Sequence, residues 1–207
     1  MTDAPEQPQI YLITPSDFDL SSYPDTLARC LDATPVACVR LALGSREEDK
    51  VVRAADALRE VTQARDVALV IDSHVQLVER LGLDGVHLTD AARSVLKVRK
   101  ELGDDAIVGA FCGNSSHDGM TAGELGADYV AFGPVGDTVL GGGDPAPLDL
   151  FQWWSQMIEV PVVAEGALTD QTIAEFAPHT DFFGIGDEIW NSDIPHSRLL
   201  DFVAAMS

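Results

Sequence analysis

Apolar positions along the chain gather into eight short runs: "IYLIT" at 10–14, "VACVRLAL" at 36–43, "VALVID" at 67–72, "GVHL" at 85–88, "AIVGAFC" at 106–112, "YVAFGPV" at 129–135, "VPVVAE" at 160–165 and "FFGIG" at 182–186. Runs this short, β-branched and nearly continuous rather than alternating predict parallel strands covered on both faces. The segments between them carry a helical period. Val51, Val52, Ala55, Leu58 and Val61 recur at that spacing behind the acidic stretch "REED", and Leu77, Val78 and Leu81 do so ahead of Gly82, placing charge and glycine where a helix starts and stops. Asp149 is expected to cap "LFQWWSQM", Thr169 or Asp170 to cap "QTIAEF", and a serine of the pair Ser115 and Ser116 to open a further helix.

Strand–helix alternation repeated in this way builds either an open doubly wound sheet or a closed barrel. No GxGxxG follows the first run and the connections are short and even, which favours closure. The expected fold is therefore α/β, a single (β/α)8 TIM barrel over residues 10–207 behind a flexible N-terminal arm at 1–9. A chain of 207 residues suits one such domain. In this architecture chemistry sits where strands end, so the positions of interest are Thr14, Leu43, Asp72 to His74, Thr89, Asp90, Cys112 to Ser116, Gly133 to Thr138, Glu165 to Ala167 and Gly186 to Glu188.

Composition narrows the function classes. Acidic residues outnumber basic ones by 34 to 13, for a net charge of −21, so the surface repels nucleic acid and anionic lipid. No apolar stretch approaches the length of a membrane span. The start "MTDAPEQPQ" carries no basic residue and does not resemble a secretion signal. Cys30, Cys38 and Cys112 are scattered without metal-type spacing, as expected of reduced thiols in a cytoplasmic protein. The partners expected are a small molecule and, for a homodimer, a second copy of the chain.

The stretch "GADYVAFGPVGDTVLGGGDP" turns a buried strand into a glycine-rich loop of the kind that cradles phosphate, yet it holds Asp137 and Asp144 and no lysine or arginine. Together with "DGVHL", "IYLIT" and "VPVVAEGALT", it resembles the thiamine phosphate synthase and thiazole tautomerase superfamily over nearly the whole chain. The resemblance implies a reaction in thiamine biosynthesis. Aminopyrimidine methyl diphosphate joins thiazole phosphate, giving thiamine phosphate and diphosphate, with magnesium helping the diphosphate to leave. It also implies cations around the leaving group, where negative charge accumulates as the carbon–oxygen bond breaks.

Carried over residue by residue, the family pattern is largely replaced. The Gln-x-Arg-x-Lys after the second strand falls on Arg40, Leu41, Ala42, Leu43 and Gly44, leaving Arg40 as a substitute cation or as half of a structural ion pair. The Asn-Asp pair of the third strand falls on Asp72 and Ser73, beside His74, and the Gly-Gln-x-Asp of the fourth on Thr89, Asp90, Ala91 and Ala92. Asp72 and Asp90 are thus the carboxylates left for a Mg2+ ion. The Ser-x-His that ends the fifth strand gives way to "CGN". In the loop after the sixth strand Gly133, Pro134 and Thr138 are retained, while Gly136 replaces an aromatic, Leu140 a hydroxyl and Gly141 a lysine; Pro134 also stands where the tautomerase branch carries histidine. Gly166, Ala167 and Gly186 keep the backbone turns that hold phosphate in the family, now beside Glu165, Asp187 and Glu188.

A charged hydrogen bond to phosphate contributes about 1.5–3 kcal/mol, and micromolar binding amounts to only about 8 kcal/mol. Losing two lysines and an arginine therefore weakens a diphosphate ligand substantially. Three readings follow. One is a diverged enzyme of thiamine metabolism using Arg40, His74 and Thr138 with a metal on Asp72 and Asp90. Another is a catalytically inactive barrel that binds a ligand or a protein, with Trp153, Trp154 and Trp190 marking an apolar patch unless they pack inside. The last is an enzyme for a cationic or metal-bound substrate, drawn by an acidic mouth.

Overall fold

The strands form where the apolar runs predict them, trimmed at their ends. The computed structural model describes residues 7–45, 47–138 and 140–207. In chain order the elements are β1 (Gln9–Ile13), α1 (Tyr23–Ala33), β2 (Cys38–Leu41), α2 (Glu48–Gln63), β3 (Ala68–Asp72), α3 (Val75–Leu81), β4 (Gly85–Leu88), α4 (Val95–Leu102), β5 (Ile107–Phe111), α5 (Ser116–Glu124), β6 (Tyr129–Phe132), α6 (Leu148–Met157), β7 (Val162–Glu165), α7 (Asp170–Phe176), β8 (Phe182–Ile185), α8 (Asp187–Trp190) and α9 (Pro195–Ala205). Each strand pairs in parallel with the next, and β8 closes on β1 through Tyr11 opposite Gly184. The fold is a (β/α)8 TIM barrel. Of the N-terminal arm expected at 1–9, residues 1–6 lie outside the described residues, and Gln9 opens β1.

Helix boundaries follow local chemistry. The Ser115 hydroxyl accepts the Asp118 N–H to start α5, and Thr169 forms a capping box with Thr172 at α7. The expected cap at Asp149 is corrected: α6 starts at Leu148 behind Pro147, and Asp149 falls inside the first turn, where its charge still favours the helix dipole.

Period-two alternation sorts the strand residues into two layers. Leu12, Val39, Leu69, Val86, Val130 and Phe183 point outward and pack under the helices in a continuous apolar layer that also holds Leu58, Phe151, Trp154 and Phe202. Trp154 is buried there, and Trp190 donates its ring N–H to the Ile13 carbonyl at 2.6 Å, so both pack inside rather than forming a surface patch; Trp153 is exposed. The inward residues are a smaller set, Tyr11, Cys38, Val70, Tyr129, Ala131 and Val163, joined by the polar Arg40, His87 and Glu165. No helix among the described residues is long and apolar enough to cross a membrane.

Candidate active site at the barrel mouth

Large polar side chains inside a closed barrel need room, and two glycines provide it. Along the register Gly109 on β5 lies between His87 and Tyr129, and Gly184 on β8 lies between Glu165 and Tyr11. A Cβ on Gly109 would meet the Tyr129 ring at 2.0 Å, and one on Gly184 would meet the Glu165 Cβ at 2.9 Å. The space they leave is filled by a hydrogen-bonded ladder. Arg40 Nη1 donates to His87 Nε2 at 2.8 Å. Guanidinium only donates, so Nε2 carries the lone pair and Nδ1 the proton. That Nδ1–H donates to the Tyr129 hydroxyl at 2.9 Å, and the Tyr129 and Tyr11 hydroxyls are hydrogen-bonded to each other at 2.6 Å. Burial and the Arg40 charge hold His87 neutral, well below the usual histidine range.

The upper end of the ladder is ionic. Arg40, 6% exposed, sets Nη1 2.9 Å from Glu165 Oε2 and Nε 3.4 Å from Asp72 Oδ1. Burial pushes both carboxyls up while the guanidinium pulls them down, and the two carboxylates keep Arg40 charged by raising its pKa. These are ion pairs without aligned hydrogen bonds: Arg40 Nε, Asp72 Oδ1 and Glu165 Oε2 have no hydrogen-bond partner. Such buried polar atoms are what a ligand or water can engage.

Above them lies a cavity of about 600 Å³ at the strand C-termini, lined by Thr14, Arg40, Ala42, Asp137, Thr138, Glu165, Gly166, Ala167, Gly186, Asp187 and Glu188, among others. Five turns, those after β1, β2, β6, β7 and β8, contribute to it. Its walls interlock. The N–H groups of Val135 and Gly136 donate to the Gly166 carbonyl at 3.2 and 3.0 Å. Gly166, at φ +93, is a position a side chain would strain, and Pro134 and Leu140 lie 2.9 Å from where its Cβ would be. Gly133 is equally confined, since its Cβ would meet the Glu165 carbonyl oxygen at 2.4 Å.

Not every residue expected at the site arrives there. His74 precedes α3 with Nδ1 2.7 Å from the Asp72 carbonyl oxygen, and with Asp90 it lines a separate, larger cleft of about 830 Å³ between α3 and α4. Arg40, Thr138, Gly166, Ala167 and Gly186 do share the mouth, with Gly133 and Pro134 behind it. Sequence reasoning overlooked Tyr11, His87 and Tyr129. His87 lay in the quoted "DGVHL", and strand alternation alone sets it inward, between the outward Val86 and Leu88.

The thiamine monophosphate synthase family model matches residues 10–184. This chain belongs to that family. A curated relative from Rhodospirillum centenum, named thiamine-phosphate synthase, is 40% identical over 211 residues, covering 100% of this chain and 99% of the relative. One from Erythrobacter litoralis with the same name is 36% identical over 191 residues, 89% of each. Among solved structures, thiamine phosphate pyrophosphorylase from Pyrococcus furiosus superposes with a TM-score of 0.81 at 20% identity, over 96% of this chain and 95% of that one, a likeness of fold.

The magnesium implied by the family can be tested on the donors present. Asp72 already faces the Arg40 cation, Asp90 accepts a hydrogen bond from Ser94 at 2.6 Å in the other cleft, and Ala92 stands at the second carboxylate position. Among the described residues no three His, Cys, Asp or Glu side chains gather as metal ligands. This donor set does not fit a magnesium shared by Asp72 and Asp90, because oxygen ligands must converge within about 2.1 Å of that ion.

Proposed function

We propose that the barrel is a thiamine phosphate synthase-type transferase of thiamine metabolism, with the mouth above Arg40 as its ligand site. The observation that carries this is the convergence of five turns on one cavity whose floor holds Arg40 and Glu165, each with a buried polar atom held by charge and not by a hydrogen bond. In the family reaction the carbon–oxygen bond to diphosphate breaks. Arg40, fixed from below by His87, is the cation on hand for the charge that develops, and Thr138 brings a hydroxyl from the β6 loop. Gly133 and Pro134 brace the wall, while Gly166, Ala167 and Gly186 shape the turns against the ligand.

A second reading, a ligand-binding barrel without turnover, draws on the charges of the mouth. Its described lining holds four carboxylates, Asp137, Glu165, Asp187 and Glu188, against the single guanidinium of Arg40. Each carboxylate about 4 Å from a phosphate would cost on the order of 4 kcal/mol at an effective dielectric of 20. The test is direct. The purified chain with aminopyrimidine methyl diphosphate and thiazole phosphate, with and without magnesium, is expected to yield thiamine phosphate. Thermal stabilisation by a substrate without product would establish the binding barrel instead, and neither product nor stabilisation would remove both readings.

A further inference from the structure

The barrel holds carboxylates of two kinds. Asp84, Asp128 and Asp181 each accept a backbone N–H of the preceding strand, from Leu69, Val108 and Val162 at 2.7, 2.7 and 2.8 Å, and so tie neighbouring strands together. Glu165 is not tied in this way. It ends β7 at the floor of the mouth, and its Oε2 meets the Arg40 guanidinium by charge, without a hydrogen bond. Arg40 divides its single charge between Glu165 and Asp72. The Asp72 side chain is 26% exposed and reaches solvent, whereas that of Glu165 is 1% exposed and faces the cavity. Neighbouring donors are engaged elsewhere: the one ring proton of His87 goes to Tyr129, and the Thr14 hydroxyl goes to the Pro15 carbonyl. A ligand at the floor therefore meets a buried carboxylate short of N–H donors, and a ligand that brings them is favoured there.

We infer that Glu165 is a specificity-determining residue that receives the amino edge of the aminopyrimidine, the exocyclic N–H donating to one carboxyl oxygen and the adjacent ring nitrogen pairing with the other. An amino N–H beside a ring nitrogen matches a carboxyl group in two hydrogen bonds once one proton lies between that nitrogen and the second oxygen, whichever of the two carries it. A pyrimidine without the amino group leaves the carboxylate desolvated and without a donor, which is how a site built for an N–H rejects an analogue lacking it. The inference deepens the proposed function and rests on the mouth being the ligand site. It gives Glu165 no part in breaking the carbon–oxygen bond.

4-Aminopyrimidine and 4-methylpyrimidine have nearly the same outline, and only the first carries the donor. Titrated calorimetrically into the whole chain, 4-aminopyrimidine is expected to bind at least about tenfold more tightly than the methyl compound, the scale of one charge-assisted contact. Glu165→Leu is expected to erase that preference. Glu165→Gln, whose amide presents matching groups without charge, is expected to weaken 4-aminopyrimidine about fivefold and leave 4-methylpyrimidine unchanged. The glutamine variant decides the matter if the leucine variant fails to fold by circular dichroism, because a residue that only holds Arg40 in place would shift both probes alike. No preference in the unaltered chain, a preference that survives in folded Glu165→Leu, or equal effects on both probes in Glu165→Gln overturns the inference. Neither probe carries diphosphate, so binding is read without turnover. A chain that makes no thiamine phosphate can still show the preference and one that makes it can lack it, so this inference and the proposed transferase activity fail separately.

Discussion

The two faces of the same strands solve opposite problems. Outward residues such as Leu12, Val39, Leu69 and Val86 meet helices that cover them, so apolar burial and close packing suffice. Inward residues meet only one another across the barrel axis, and there Arg40, His87, Tyr129 and Tyr11 form a ladder in which each donor depends on the next acceptor. The outer layer is an average over many weak contacts. The inner one is a chain of a few strong contacts, which is costly to break at any link and is aimed at the mouth.

Removing the link that carries the charge is the severest test. Arg40→Met leaves Glu165 and Asp72 without their cation and His87 Nε2 without a donor. A loss of about 3–5 kcal/mol is expected in denaturant unfolding, the range for breaking a buried pair. Adding Glu165→Gln should restore much of it, by removing the stranded charge. A loss under about 1 kcal/mol would mean the ladder is no more cooperative than the outer layer.

A smaller effect separates the layers by pH. The folded state holds His87 neutral with its pKa well below the unfolded value near 6.5. Between those two values the unfolded chain binds more protons. The stabilisation from keeping His87 neutral is therefore complete above about pH 6.5 and lost as pH falls toward the folded pKa, at up to about 1.4 kcal/mol per pH unit. Glu165 and Asp72, raised by burial, act with the opposite sign: stability falls as pH rises from the unfolded carboxylate value, near 4, toward their folded values. Unfolding measured from pH 7.5 down to 5.5 should therefore show a steeper loss for the unaltered chain than for His87→Gln. Equal slopes would detach His87 from the pH response.

The smallest expected effect lies on the other face. Leu69→Met conserves volume in the outer layer and should cost less than about 1.5 kcal/mol without altering ligand binding. A larger loss, or a change at the mouth, would show that the two layers are not separable.

How much of this was legible varied with the range of the interaction. Each strand came within a few residues of its apolar run, and Thr169 and Ser115 cap the helices expected of them, because these features depend on neighbours in the chain. Asp149 misled by two residues, since the helix already starts at Leu148 with Pro147 at its N-cap. Asp72 and Asp90 looked like a pair from the family pattern carried over onto them, yet Asp72 faces Arg40 while Asp90 faces the cleft between α3 and α4. His87 was visible as a residue in "DGVHL" but not as a link, because its partners on β2 and β6 are 47 and 42 residues away.

The sequence by itself determined the barrel, through eight β-branched runs alternating with amphipathic helices, and it exposed the loss of the family's cations at the loops. Only the tertiary structure decided what the remaining charges do. Closing the sheet brought Arg40 between Glu165 and Asp72, and seated Glu188 on N–H groups of two turns, one of them 20 residues back along the chain. Periodicity is a local property that composition can encode in every window. Charge pairing inside a barrel is set by which strands meet across its axis, and that is known only once β8 has closed on β1.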